Sequence, residues 1–554
     1  MLFFDARPAT KLLLLVLSSL ILFACDSAPD GRYFTKPAFT CLAGDAYCNE
    51  TAAAGLDDKA RYGKGAAMVD VNNDGWQDMF LSDADPRTWT TYGVSAFYIN
   101  NQDGTFTRDS LGISEDDLNA SWVASFADYD RDGDQDVVLL NGGYAGESNI
   151  AFYENQLNET GTFMVKTSEV GLAEFAENSK PWWGVSWADY DNDGYVDFAV
   201  QMRRGPYLLF HNNGDSTFTE LGESVGIDQA PNSFQRDGKN VVWIDHDMDG
   251  DQDLYFAGMG EHDFFENLGD GTFRNITDQI FAEEFPSNRT YEQGWPAVFA
   301  AAVIDFNQDG AEDLYLGRQA EWDYLLLNDG AGNFSYHRDD IGLDELRTPP
   351  NVTKKKFENT MGMGVADLYD DGYPDVILGT GTPTRADEDL IYCNKGGTRF
   401  ERCISLFNGR ADGPHMSRTH GVISGDVNRD GKTDVWVNQG GHTPWDVKTG
   451  ISSREIGSLY LAQEGLVANT ATITLQGTDS NRDALGARIT VTGSETHYYY
   501  MKSTQAFQSQ NSRAIVVTLG DADTASVKVD WPSGKVSEII ARPGEFHHIV
   551  EYSN

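Results

Sequence analysis

Carboxylates recur along this chain at alternate positions of one short phrase: Asp, any residue, Asp or Asn, any residue, Asp, Gly, two further residues, Asp. It begins at Asp70, Asp128, Asp189, Asp245, Asp305, Asp367 and Asp426. Side chains at positions 1, 3 and 5 of such a loop converge on one point, and position 9 closes the set. Gly at position 6 allows the sharp turn because it has no Cβ to clash. Position 7 supplies a backbone carbonyl whatever its side chain: Trp76, Asp134, Tyr195, Asp251, Ala311, Tyr373 and Lys432. An oxygen cage of this kind suits Ca2+, a hard cation that binds its oxygens at roughly 2.3–2.6 Å. Three copies carry the full carboxylate set: Asp128, Asp130, Asp132, Asp136; Asp189, Asp191, Asp193, Asp197; and Asp245, Asp247, Asp249, Asp253. Three place Asn at position 3, which still offers an oxygen: Asp70, Asn72, Asp74, Asp78; Asp305, Asn307, Asp309, Asp313; and Asp426, Asn428, Asp430, Asp434. The sixth copy keeps Asp367, Asp371 and Asp375 but has Tyr369 at position 3, with Asp370 out of phase. The expectation is up to seven Ca2+ ions, with the sixth site in doubt.

Asp-Gly clusters also mark metal-free turns, but seven copies in register, each with its ninth-position Asp, favour the metal. An EF-hand is excluded. That loop needs Glu at position 12, and position 12 here is Leu81, Leu139, Val200, Phe256, Leu316, Leu378 and Val437. A short apolar run after a Gly turn reads as a strand buried on both faces.

By subtraction, the loop starts are 58, 61, 56, 60, 62 and 59 residues apart. A steady period of this kind means repeated copies of one supersecondary unit. Another apolar strand precedes each loop, such as Val241-Val242-Trp243-Ile244, and hairpin turns such as Asn267-Leu268-Gly269-Asp270-Gly271-Thr272-Phe273 follow downstream. Four antiparallel strands repeated seven times predict an all-β chain, a seven-bladed β-propeller with its seven loops at one end of the disc. Loop, hairpin and period together resemble the FG-GAP/VCBS repeat propellers, the group that includes the integrin α-subunit head. Phe126, Trp187 and Trp243 each stand two residues before their loop, so a shared packing role between blades is expected rather than a sugar platform.

The expected domains are residues 1–25, a signal peptide; 26–50, an N-terminal segment; 51–465, the propeller; and 466–554, a small β-sandwich-like domain. Arg7 and Lys11 precede a short apolar run, Leu12 to Phe23. Such a run suits a signal peptide and is short for a membrane span. The sequence Leu22-Phe23-Ala24-Cys25 resembles a bacterial lipobox, which implies lipidation at Cys25; Phe23 is unusual there, so ordinary cleavage stays open. Four further cysteines, an even number in an exported chain, suggest disulfides; Cys41 with Cys48 and Cys393 with Cys403 are the local pairings, and the connectivity stays open. Three C-terminal segments, Gly477 to Arg488, Phe507-Gln508-Ser509-Gln510 and Asp530 to Lys535, resemble the ASPIC/UnbV domain, as in secreted proteins of the cartilage acidic protein group. Arg482 and Arg488 are expected in ion pairs with Asp479 or Asp483 more than as anion ligands.

With 86 acidic against 41 basic residues the net charge is −45, which argues against a generic nucleic-acid or anionic-membrane binder. The loops account for 24 of the Asp carboxylates. The chain has no His-Glu-x-x-His, Gly-x-Ser-x-Gly or Cys-x-x-Cys, and its ten histidines, including His246, His415 and His420, are scattered. Three readings follow: a calcium-bearing, exported and lipid-anchored binding or adhesion module; a propeller-mouth hydrolase or lyase acting on extracellular polysaccharide; or a periplasmic assembly factor. The first is favoured. The expected partner is a protein or glycan with contacts at the loop end of the disc, with no nucleic acid and with membrane contact through the lipid alone. The expected location is the outer membrane or cell surface, with a periplasm-facing anchor as the alternative.

Overall fold

A computed structural model describes most of residues 46–552, apart from the stretches 84–94, 142–148, 177–181, 228–236, 282–297, 319–321, 344–359, 404–415, 446–451 and 464–468 and a few shorter ones. Cys25, Cys41, His415 and the signal segment lie outside the described residues.

Seven four-stranded antiparallel blades are present. Counting outward from the axis, blade 3 runs Trp182–Ala188, Asp197–Met202, Tyr207–Asn212 and Phe218–Glu220. The other first strands are Gly63–Val69, Ser121–Ala127, Gly238–Ile244, Val298–Ile304, Thr360–Ala366 and Thr419–Gly425, each buried along its whole length. Their small residues answer the crowding at the axis. A Cβ on Gly362 would lie 1.9 Å from the His420 carbonyl oxygen, so only glycine lets blades 6 and 7 pair in parallel, Met363 opposite Gly421.

Apolar side chains of adjacent blades interlock. Phe126 packs in the cluster of blades 1 and 2, Trp187 in that of blades 2 and 3, and Trp243 in that of blades 3 and 4. Each such ring or aliphatic chain stabilises by roughly 1.5–3 kcal/mol when fully buried. The inter-blade role expected of these aromatics is the one they have. His420 is 1 % exposed within its strand and does not reach the surface.

The boundary expected at residue 51 is corrected by the ring closure. Blade 7 draws its outermost strand from the N-terminal segment: Tyr47–Asn49 pairs antiparallel with Ser458–Ala462. The reason is topological. A disc whose last blade takes one strand from the other chain end has no loose seam.

The C-terminal domain is a sandwich of two sheets. One holds Ile515–Thr518, Thr470–Gln476 and Phe546–Val550; the other holds Thr496–Tyr500, Arg488–Thr492, Ala525–Asp530 and Val536–Ala541. Its core, including Ile489, Val527 and Trp531, is continuous with that of blades 2 and 3.

Candidate metal centres

Each loop joins the first strand of its blade to the second, and all seven share one hydrogen-bond plan. The position-1 carboxylate accepts the amide of the position-6 glycine, as Asp70 does from Gly75 at 2.8 Å, Asp189 from Gly194 at 3.1 Å and Asp367 from Gly372 at 2.6 Å. The position-5 carboxylate accepts the position-7 amide, as Asp193 does from Tyr195 at 2.8 Å and Asp430 from Lys432 at 3.0 Å. Position 4 takes a left-handed backbone in every copy, from φ 50 at Asp370 to φ 67 at Arg131, and position 6 is a glycine with positive φ throughout.

The ninth-position carboxylate also works as a clasp. Asp197 accepts the Tyr190 amide at 3.2 Å and the Asn212 amide at 2.7 Å. Asp78, Asp136, Asp253, Asp313, Asp375 and Asp434 repeat the pattern, each holding loop position 2 and the end of the third strand.

The residue at that strand end ties each blade to the one before. The Asn212 amide donates to the Tyr129 carbonyl at 2.8 Å, Asn155 to Val71 at 2.8 Å and Asn267 to Tyr190 at 2.7 Å. Asn328, Asn394 and Asn100 do the same to His246, Phe306 and Val427, the last joining blade 1 to blade 7. Blade 7 has Ala462 at this place. The Tyr47 hydroxyl stands in for the missing amide, within 3.0 Å of the Leu368 carbonyl and 2.8 Å of the Thr433 carbonyl. Sequence reasoning placed some of these asparagines in hairpins and missed the tie; their recurrence at the repeat period was the available signal.

Carboxylates converge where the spacing required. Ligand atoms of Asp128, Asp130 and Asp136 lie within 4.8 Å of one another, as do those of Asp189, Asp191 and Asp197 and those of Asp245, Asp247 and Asp249. Two further groups include histidine: Asp191, Asp193 and His211; and His246, Asp247 and Asp253. His211, on the third strand of blade 3, was not foreseen. Its Nδ1 is 3.2 Å from Asp197 Oδ1 and 3.5 Å from Asp191 Oδ2.

Burial holds these carboxyls above their ordinary 3.8, and neighbouring aspartates add to it at most sites. Asp70 and Asp426 stand at about 6, Asp245 and Asp305 at about 7, Asp128 and Asp189 at about 8. Among the clasps, Asp78 and Asp197 stand at about 7. Asp128 Oδ1, Asp189 Oδ1 and Asp191 Oδ1 are buried with no hydrogen-bond partner among the described residues. Crowded, desolvated and unpaired carboxylate oxygens are costly without a cation. The donor set therefore fits a divalent metal.

The sixth loop departs where the sequence does. The Tyr369 ring lies 4.8 Å from Lys395 Nζ, and Asp370 turns toward blade 7, accepting the Thr433 hydroxyl at 3.0 Å. The strand beside it carries Cys393, in a disulfide with Cys403 across 5.8 Å between Cα atoms. Cys48 is also disulfide-bonded.

The loop face is not open to solvent at its centre. Residues 503–512 of the C-terminal domain enter the channel there and touch the first strand of every blade. Ser509 and Gln510 pair in parallel with Ala66 and Ala67. Gln510 accepts the Phe126 amide at 2.8 Å, and Gln508 donates to the Trp183 carbonyl at 3.0 Å. The Gln508 amide meets Asn240 at 3.4 Å, and the Phe507 ring lies 5.2 Å from that of Phe299. Asn511 donates to Val365 at 3.0 Å and accepts the Ser424 amide at 3.1 Å. Inner strands have one unpaired edge, and this segment supplies partners for part of it.

Around the plug, residues 478–483 lie on loops 2 and 3. Asp483 accepts the Asp128 amide at 2.8 Å, and Arg482 Nε is 3.5 Å from Asp128. Asn481 reaches Asp189 at 3.4 Å, and Arg131 donates to the Ser480 carbonyl at 3.2 Å. The pairing expected between these arginines and Asp479 or Asp483 is not the one found. Arg488 pairs with Asp530 at 3.4 Å, Asp479 with Lys535, and Asp483 with Arg513 at 2.7 Å. These three pairs lie within the C-terminal domain, between segments distant in sequence, while Arg482 reaches across to Asp128 on the disc.

Comparison with known proteins agrees with this architecture. Residues 70–139, 128–200 and 189–256 match the FG-GAP-like repeat, and residues 477–554 match the family described as ASPIC and UnbV. Cartilage acidic protein 1 of Xenopus tropicalis is 23 % identical over 347 residues, 59 % of this chain and 49 % of that one. The Homo sapiens protein of the same name is 22 % identical over 360 residues, 62 % of this chain and 50 % of that one. The chain thus spans about half the length of these relatives. A solved Agrocybe aegerita lectin, described as recognising non-reducing terminal N-acetylglucosamine, is 16 % identical with a TM-score of 0.38, covering 64 % of this chain and 81 % of that one.

Proposed function

We propose that this FG-GAP repeat propeller with its ASPIC/UnbV domain is a calcium-stabilised binding module, exported and tethered through lipid at Cys25. The reading is carried by one observation: buried, unpaired carboxylate oxygens of Asp128, Asp189 and Asp191 aimed into loops of calcium-type spacing. Calcium neutralises these loops and fixes their shape. Loops 2 and 3 in turn hold residues 478–483, so the metal and the C-terminal domain stabilise the same end of the disc.

Binding is preferred to turnover because residues 503–512 occupy the channel mouth on the loop side, where a propeller-mouth active site would otherwise sit. The same segment narrows the partner surface expected there to the rim of the loops. The partner is a protein or a glycan. Binding to glycan and protein arrays with and without calcium, beside hydrolysis assays on the same ligands, tests the reading. Calcium-dependent capture without product supports it; turnover abolished by one acidic or His substitution outside the loops overturns it. For the anchor, Cys25→Ser is expected to release soluble protein or to leave the signal uncleaved, and mature membrane-bound variant in fractionation would refute it.

A further inference from the structure

The third loop differs from the other six in one side chain. At the place before the terminal Asn or Ala of each third strand stand Ile99, Glu154, His211, Glu266, Leu327, Cys393 and Leu461. At this place only His211 carries a side-chain nitrogen, with Nδ1 at hydrogen-bond distance, 3.2 Å, from Asp197 and 3.5 Å from Asp191. Its ring is steadied edge-on by Tyr190, with centroids 5.9 Å apart. Two donors bound at right angles to one first-row ion at about 2.1 Å lie ~3.0 Å apart, close to those spacings. Independently, Asp189, 2 % exposed, has an unpartnered Oδ1 and clusters with Asp191 and Asp197, the two carboxylates that face His211.

We propose that the third loop is a mixed nitrogen–oxygen site that takes a borderline first-row dication, of the Mn2+ or Zn2+ kind, with His211 Nδ1 as a direct ligand beside Asp189, Asp191 and Asp197. Imidazole suits such ions, whereas Ca2+ takes oxygen donors alone. One chain then carries two metal classes: calcium in the oxygen-only loops and a softer ion in loop 3. His246 does not qualify in the same way. It is 4 % exposed in the core beneath loop 4, and its Nδ1 lies 2.5 Å from the clasp residue Asp253, a closer hydrogen bond than the 3.2 Å one between His211 Nδ1 and the clasp residue Asp197.

This rests on the loops being metal sites, which calcium-dependent melting of the same samples tests separately. The experiment uses the full chain, stripped of metal, reloaded with excess Ca2+ and given one equivalent of Mn2+. Electron spin-echo envelope modulation is expected to show 14N coupling from one imidazole. The coupling should vanish in His211→Gln and persist in His246→Gln. In His211→Gln, Ca2+ should displace the Mn2+ at a concentration lower by roughly tenfold or more. Absence of 14N coupling in the unmodified chain, or its persistence in His211→Gln, overturns the proposal. Normal calcium-dependent melting alongside such a result would leave the calcium reading intact and condemn this one alone.

Discussion

Chelation should reverse the pH dependence of this protein's stability. Asp78, Asp197 and Asp305 are buried and stand at about 7 against an ordinary 3.8. Their folded pKa lies above the unfolded value. The metal-free folded state therefore holds more protons than the unfolded chain between about pH 4 and 7. The stability they contribute is fully present below pH 3.8 and is lost as pH rises through 7. A gap of three units is worth about 4 kcal/mol per group. Three such groups alone approach the whole stability of a typical domain, 5–15 kcal/mol. With metal bound the carboxylates are held ionised, and acid then destabilises by expelling the ion. In excess EDTA the melting temperature is expected to rise from pH 8 to pH 5.5 by roughly 10 °C or more; in excess Ca2+ it is expected to fall over the same range. Circular dichroism melts at three pH values, with residual metal checked by mass spectrometry, would show the crossing. Parallel curves in EDTA and Ca2+ would refute the electrostatic reading of the loops.

Three further outcomes follow from particular contacts. Tyr47→Phe removes the hydroxyl that meets two buried carbonyls and should cost ~1–3 kcal/mol in urea unfolding, as should Asn212→Ala in blade 3; a loss below 0.3 kcal/mol, roughly the noise of such titrations, would deny that the tie matters. Asp191→Ala should lower the metal-dependent melting temperature more than Tyr369→Ala, because the sixth loop already lacks its position-3 oxygen; anomalous scattering with a fully occupied sixth site and no metal at the third would contradict both. Joint Arg131→Ala and Arg482→Ala substitution should raise hydrogen exchange at residues 478–483 while leaving the second strands protected, and unchanged exchange there would show that the two arginines do not hold the domain.

Local chemistry was legible in the sequence because it repeats. An Asp at position 9 can be read as a ligand from spacing alone, and the apolar run after it as a strand. What the sequence hid were partners far apart along the chain. Tyr47 and Leu368 meet across the ring seam, so no local pattern links them, and the strand Tyr47–Asn49 looked like a leader to the domain rather than part of blade 7. Arg482 has acids three residues before it and one after, yet it meets Asp128 instead. His211 was invisible for a different reason: it sits where the other blades carry residues of no shared chemistry, so no period pointed to it. The clasp role of Asp197 was half legible, since the carboxylate that spacing marks as a metal ligand also holds two backbone amides.

The pairing of these two domains in one chain has a physical logic. A closed propeller solves its outer edges by adding strands, but the inner edges of seven first strands converge on a channel where no strand of the ring can pair with all of them. The segment 503–512 does so with side-chain amides as much as backbone: Gln508, Gln510 and Asn511 reach the carbonyls of Trp183, Phe126 and Val365. Such a plug must be held at a fixed height and angle. The segment 478–483 holds it, and it rests on loops whose shape depends on neutralised carboxylates. Asp483, beside Asp128, adds to the crowding at loop 2 and raises that carboxyl further. The C-terminal domain is thus least welcome on the disc when the metal is missing. On the calcium reading, metal, loop and plug would form one thermodynamic unit, and loss of calcium should loosen the channel plug before it unravels the outer strands, whose ladders hold no carboxylate cage.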